Sequence, residues 1–143
     1  MKERVLCLDV GDKRIGVAVS DPLGMTAQSL VTIARRHFKE DCARLLKLAE
    51  EYEVQKIVIG LPLNSEGNEG PQAKKVRFFG EGLTKFLKEK EASITIEWWD
   101  ESLTSQEAEA ILLEADLSRK KRRKVVDKLA ASLILQRYLD HHA

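Results

Sequence analysis

The sequence predicts an α/β fold: a five-stranded mixed sheet with helices on both faces, in the order βββαβαβαα. Three observations predict it. Five short segments alternate apolar with polar residues or run apolar throughout. Longer segments carry apolar residues at helical spacing. Clusters of glycine, proline, asparagine and aspartate punctuate the two kinds.

Residues 4–10 and 14–20 read as two strands joined by a tight turn at Gly11-Asp12-Lys13. The first is apolar on both faces, which suits a central strand. Pro22 and Gly24 make a turn, and residues 26–33 supply the third strand of the meander. Residues 39–52 carry Cys42, Leu45, Leu46, Leu48 and Ala49 at helical spacing. Val54 to Gly60 is a buried strand ending at glycine, and Leu61 to Gly70 is a loop rich in turn formers. A helix over 71–89 gathers Val76, Phe79, Leu83, Phe86 and Leu87 on one side, with Pro71 in its first turn. Ser93 to Trp98 is the fifth strand. Thr104 or Ser105 can cap a third helix with Glu107 in its first turn, and a final helix runs from about Arg122 to Tyr138. A meander followed by two β-helix-β crossovers gives the mixed sheet. No repeat, linker or low-complexity tract interrupts it, so residues 1–143 are expected to form one domain.

The composition excludes several classes. At 43% hydrophobic and 33% charged, the chain is neither disordered nor membrane-spanning. No apolar run approaches the ~20 residues of a membrane span. The N-terminus enters a strand at once, so no signal peptide is expected. Cys7 and Cys42 form no CxxC pair and read as reduced structural thiols, which suits a cytoplasmic protein. A net charge of +1 means that nucleic-acid binding must come from local patches.

The first strand holds one acid, Asp9, among apolar residues. A charged carboxylate there costs several kcal/mol unless compensated, and a metal ion is one compensator. Bonding to turn amides near Gly11 is the plainer alternative. Glu101 follows the fifth strand, and taken alone it is equally a solvated loop acid. Asp127 shares a helical face with Ala130, Ala131 and Ile134, where the small residues allow close approach to a sheet. Alternatively it pairs with Lys124 or Lys128. Asp9, Gly60 and Asp100-Glu101 all fall at the carboxyl ends of strands, where α/β sheets build their sites. Three carboxylates from three elements suit a hard divalent cation, and two Mg²⁺ ions can activate a water and stabilise a departing oxyanion in phosphodiester hydrolysis. His37, His141 and His142 offer no zinc spacing, and the last two lie at a terminus expected to fray.

Arg119-Lys120-Lys121-Arg122-Arg123-Lys124 is six consecutive cations just before Asp127. Cations at a helix N-terminus oppose its dipole, so a phosphate-backbone contact is preferred to a merely solvated run. Lys13 and Arg14 can extend that surface, while Lys74, Lys75 and Arg77 fit a solvated helix face better. The 61–70 loop, with Asn64, either approaches a substrate backbone or simply connects; it lacks the lysine of a Walker loop. Trp98 and Trp99 face opposite sides of a strand. One enters the core, and the other stacks on a base or covers an edge.

Four segments together resemble the YqgF family of bacterial pre-16S rRNA nucleases, also called Holliday-junction-resolvase-like proteins. They are Leu8-Asp9-Val10-Gly11 with Lys13-Arg14-Ile15-Gly16; Gly60-Leu61-Pro62-Leu63-Asn64 with Gly67; Asp100-Glu101 with Leu103-Thr104; and Asp127 with Ala130-Ala131. The match runs in order along nearly the whole chain. It implies an RNase H-like fold and a metal-dependent nuclease, with Asp9, Glu101 and Asp127 as metal-binding catalytic acids and Mg²⁺ (or Mn²⁺) as cofactor. It implies structured RNA, precursor 16S rRNA in ribosome biogenesis, as substrate. Branched DNA such as a Holliday junction is the alternative, and a non-catalytic RNA-binding assembly factor a third. The protein would be a monomer or a homodimer, and symmetric junction cutting would require the dimer. The nucleic-acid contacts would come from Lys13, Arg14, Asn64, Lys121, Arg122, Arg123 and Lys124. The family usually has arginine directly after the acid at Glu101, where this chain has Ser102.

Overall fold

A computed structural model describes residues 3–64, 66–101 and 119–143, with side chains in the last stretch described from Leu129 onward. The elements are β1 (Val5–Val10), β2 (Arg14–Ser20), β3 (Ala27–Ala34), α1 (Phe38–Glu51), β4 (Lys56–Leu61), α2 (Pro71–Glu89), β5 (Thr95–Asp100) and α3 (Arg119–His141). The strands form one sheet in the order β3-β2-β1-β4-β5. β1–β2 and β2–β3 pair antiparallel, whereas β1–β4 and β4–β5 pair parallel. The predicted mixed sheet is therefore present, and β1 sits at its centre as its two-sided apolar pattern requires. The helix expected to start at Thr104 or Ser105 lies outside the described residues.

Alternation sends the two faces to different partners. Leu6, Leu8, Val10, Ile15, Val17, Val19, Ile57 and Ile59 meet Leu45, Val76, Phe79 and Leu83 of α1 and α2. Val5, Cys7, Ala18 and Val58 meet Ala131, Ile134, Leu135 and Tyr138 of α3. Both cysteines are free and buried. No described helix is long and apolar enough to cross a membrane.

Several boundaries differ from those that periodicity predicts. β4 starts at Lys56 rather than Val54 because the Val54 amide bonds back to Ala49 O at 2.7 Å, closing the end of α1. Glu53 takes φ 55° there. β5 runs to Asp100 rather than Trp98 because it follows β4, from Lys56 opposite Thr95 to Leu61 opposite Asp100. The final helix starts three residues earlier than Arg122 and continues through His141. At that C-terminal end His142 stacks on Tyr138 at 4.0 Å, and His141 packs on Trp99 at 5.2 Å. Both tryptophans are partly buried, each packed against the core of its own face. Trp99 packs against Tyr138 at 5.4 Å on one face, while Trp98 lies under the Arg77 guanidinium at 4.8 Å on the other.

Candidate metal and nucleic-acid site

β1, β4 and β5 are parallel, so their carboxyl ends share one edge of the sheet. Asp9 stands near the end of β1, opposite Gly16 of β2. Glu101 follows β5 directly, and its amide bonds to Leu61 O at 3.1 Å, which fixes where its side chain starts. Alternation puts both acids on the α3 face, with β4 between their strands. Two strand spacings, about 9.6 Å, separate the backbones of β1 and β5, so the side chains must meet above β4. They do: a hydrogen bond joins Asp9 and Glu101.

Gly60 is the floor of this meeting point. A Cβ at that position would lie 2.9 Å from Glu101 Oε2 and 2.9 Å from Ile134 Cδ1. Any larger residue would displace the carboxylate or the helix. Gly60, the last residue but one of β4, is therefore part of the site, a role the sequence signals only as a strand end.

The electrostatics are unfavourable for two bare charges. Glu101 is 8% exposed, and its Oε2 has no hydrogen-bond partner among the described residues. Burial first, then the charge of Asp9 and the hydrogen bond with it, push the Glu101 carboxyl up to about 8. Cys7, on the same face of β1, is fully buried, and its thiol is driven well above its ordinary range by burial and then by Asp9 and Glu101. Its thiol therefore favours the protonated form in the metal-free fold. An orphaned, buried carboxylate oxygen beside a second carboxylate is a donor set that fits a hard cation.

Asp127 lies in α3, one turn before Ala131 and seven residues before Ile134, the residue against Gly60. The helix runs from Tyr138 beside Lys56, at the start of β4, to Ile134 near the strand's end. Its backbone continues toward position 127 in the direction of the carboxyl edge. The Asp127 side chain, and those of Lys121, Arg122, Arg123 and Lys124, lie outside the described residues, as does Ser102. Among the described residues no third His, Cys, Asp or Glu joins the pair.

Lys13 and Arg14 are exposed in the β1–β2 turn, at the same edge as Asp9. The turn is closed by the Gly11 amide on Arg14 O at 2.8 Å. Arg35, just past the end of β3, braces it with Nη1 on Gly11 O at 2.7 Å, a contact that no local sequence pattern marks. Asn64 works within its own loop: Oδ1 accepts the amides of Glu66 at 3.0 Å and Asn68 at 2.9 Å. With the Leu63–Glu69 bridge and Gly67 at φ 80°, the 61–70 connection is an organised turn.

A mixed sheet in this order, with carboxylates gathered at the carboxyl edge beneath a C-terminal helix, defines an RNase H-like nuclease. The chain belongs to the RuvX family, whose model, described as Holliday junction resolvase, matches residues 3–141. Relatives bearing the name "Putative pre-16S rRNA nuclease" include one from Syntrophomonas wolfei, 49% identical over 96% of this chain and 94% of its own. Another, from Clostridium novyi, is 53% identical over 96% and 98%. Among solved structures, Thermus thermophilus RuvC in complex with Holliday junction substrate aligns with a TM-score of 0.56 at 16% identity, covering 99% of this chain and 97% of that one. The fowlpox virus Holliday junction resolvase aligns with a TM-score of 0.56 at 13% identity, covering 96% and 99%. At such identities these structures share the fold.

Proposed function

We propose that this chain is a divalent-metal-dependent nuclease that cuts phosphodiester bonds at the 5′ end of precursor 16S rRNA in ribosome biogenesis. The whole chain acts as one RNase H-like domain, with Asp9, Glu101 and Asp127 as its acids. The carrying observation is the buried Glu101 carboxylate, its Oε2 unpartnered, held against Asp9 above Gly60. The names of the relatives support the substrate, and the position of residue 127 along α3 supports its membership of the set.

Asp9, Glu101 and Asp127 would hold Mg²⁺ or Mn²⁺, which prefer oxygen donors. Such a cation supplies a more acidic water and charge stabilisation for the departing oxygen. Without it, Glu101 keeps a proton near neutral pH because burial and Asp9 disfavour its charge. Loading the site therefore releases that proton, and affinity for the cation rises with pH. Asp9 sets the negative potential from a rigid central strand, and Gly60 keeps the space between the acids clear. Lys13 and Arg14 in the hairpin, with Lys121, Arg122, Arg123 and Lys124 on the first turns of α3, supply phosphate contacts along this edge; Asn64 orders the adjoining loop. The two free buried thiols support a reducing, cytoplasmic setting.

The description of the matching family favours a second reading, a branched-DNA resolvase. One experiment separates the two: cleavage of a labelled 5′-extended 16S rRNA precursor fragment and of a four-way DNA junction, each with Mg²⁺, Mn²⁺ or EDTA. Metal-dependent RNA cutting that Asp9→Asn abolishes is the expected result. Junction cutting alone moves the assignment to a resolvase, which would act as a homodimer. RNA binding in EDTA with no cutting under any condition leaves a non-catalytic binding factor.

A further inference from the structure

α2 carries an aromatic side chain on its polar stripe. Phe79 and Leu83 face the core, but Phe78 is 79% exposed. Its helical neighbours at i−4, i−3, i+3 and i+7 are Lys74, Lys75, Glu81 and Lys85. Phe38, at the start of α1, lies beside it and is 40% exposed. Between them runs a groove of about 540 Å³ walled by Arg35, Phe38, Lys74, Lys75, Phe78 and Phe79. A second hollow of about 400 Å³, on the Gly82 and Lys85 side, shares Phe38 and Phe78 as walls.

The seat of Phe38 depends on its surroundings. A Cβ at Gly82 would lie 2.5 Å from Phe38 Cζ, so this helix-interior glycine is what lets the ring lie across α2. Phe38 is also held edge-on to Phe79 at 5.6 Å. One ring is thus fixed in place, and the other stands free in solvent among cations.

The groove lies on the α1/α2 face of the sheet and reaches the β1–β2 turn that follows Asp9. Lys75 Nζ lies 3.6 Å from Asp12 Oδ1 in the β1–β2 turn, and Arg35 bonds Gly11 O in the same turn. A polyanion leaving Asp9 across that turn would meet Lys13, then Arg35 and Lys75, then the two rings. Four cations (Arg35, Lys74, Lys75 and Lys85) against Asp12 and Glu81 give the path a net positive charge. Exposed aromatic rings within a basic groove are the elements that hold unpaired nucleotides: the cations follow the backbone, and the rings take the base faces. A protein partner with an acidic, apolar segment would satisfy the rings and cations but would not need the groove to reach that turn.

We propose that the Phe38–Phe78 groove binds an unpaired stretch of the RNA substrate and stacks its bases as the strand leaves the Asp9–Glu101 centre. This rests on the nuclease reading above and assigns that reading a second contact surface.

The test is fluorescence anisotropy in EDTA, where cutting is suppressed, with a labelled single-stranded oligoribonucleotide and a blunt RNA duplex of equal length. The proteins are wild type, Phe78→Ala, Phe78→Trp and Lys74→Glu/Lys75→Glu. Phe78→Ala is expected to weaken single-strand binding about tenfold and duplex binding far less, with Phe78→Trp restoring it. The double lysine variant should lower the salt dependence of single-strand binding. Unchanged single-strand binding by Phe78→Ala, while wild type still binds and cuts, overturns this inference alone. So does an equal loss on both RNAs, or a Phe78→Ala change confined to sedimentation, which would make the groove a self-association surface. Wild type that neither binds nor cuts RNA overturns both this inference and the nuclease reading. Circular dichroism confirms that each variant is folded, as expected for so exposed a ring.

Discussion

On one face of the sheet, long side chains from β1, β2 and β4 interlock with Leu45, Val76, Phe79 and Leu83 in a continuous apolar interior. On the other, Cys7, Ala18 and Gly60 meet Ala131 and Ile134 of α3, and two carboxylates share the space. The first face carries the larger apolar cluster, whereas the second sets small residues (Cys7, Ala18 and Ala131) beside Ile134, Leu135 and Tyr138. Small residues let α3 approach closely, which excludes water and raises the electrostatic stakes of any charge placed there. The comparison teaches that the chain obtains its stability mainly from the α1/α2 face and gives up part of it on the α3 face, where two acids are held together at a cost. Four substitutions can break or sharpen that division.

The largest effect belongs to Asp9→Asn. The change keeps the shape of β1 but removes one charge from the pair, so activity on the cleaved substrate should fall at least ~10²-fold. The fold should persist, because relieving repulsion beside buried Glu101 does not cost packing. A steady-state cleavage assay alongside a thermal melt checks both halves. A variant with near wild-type turnover would remove Asp9 from the chemistry.

The mirror experiment is Phe79→Ala on the other face. Phe79 is 2% exposed and packs against Phe38 and beneath the Arg35 guanidinium. Truncation should cost about 3–5 kcal/mol in urea unfolding. Residual activity, measured below the new melting point, should fall far less than for Asp9→Asn.

Glu101→Gln should separate stability from function at a single position. The folded-state carboxyl titrates near 8, above its ordinary 4.5, so the metal-free fold binds a proton that the unfolded chain has already released. Stability of the metal-free protein therefore falls as pH rises between those values, and the neutral glutamine escapes the loss. In EDTA at pH 8 the variant should be more stable than wild type by about 1–4 kcal/mol, with the difference closing by pH 5. Catalysis should be lost, and the stabilisation that Mg²⁺ gives to wild type at pH 8 should shrink. Paired melts at pH 5 and 8, with and without Mg²⁺, read all three; equal pH profiles would show that burial does not burden this acid.

Much of this division is legible in the sequence, and the illegible part has physical causes. Period-two alternation puts Cys7 and Asp9 on one face of β1 and Leu6 and Leu8 on the other, so the acid's isolation is visible in the strand pattern itself. The carboxyl-end rule brings Asp9, Gly60 and Glu101 to one edge. It does not reveal that Gly60 clears the space for Glu101, because that depends on two side chains crossing a strand. Arg35 and Phe78 differ in what the sequence shows of them. Arg35 braces a turn distant in sequence, whereas Phe78 does carry a signal: an aromatic residue out of phase with its helix's apolar stripe. Strand ends move by two residues because the Val54 amide is taken by the closing turn of α1, which apolar periodicity does not mark, and because β5 is extended by its pairing with β4.

The smallest effect should come from the far end of α3, and it tests whether the two ends of that helix are independent. At the amino edge of the sheet, Tyr138 donates to Glu97 Oε2 at 2.6 Å, and Lys56 lies 3.3 Å from the same oxygen. The Tyr138 hydroxyl first, then Lys56, hold the Glu97 carboxyl below its ordinary range. A depressed carboxyl stabilises the fold above the unfolded value and loses that contribution as pH falls through the folded one. Tyr138→Phe removes the hydroxyl and keeps the ring against Trp99, so the cost at neutral pH should be about 1 kcal/mol. The acid limb of the stability profile should flatten, because one reason for Glu97 to stay ionised is gone. Cleavage should be unchanged, since the hydroxyl lies at the start of β4, a helical turn beyond Ile134, the residue against Gly60. A loss of activity matching the loss of stability would mean instead that the aromatic cluster at the C-terminus sets the position of α3 over the acids.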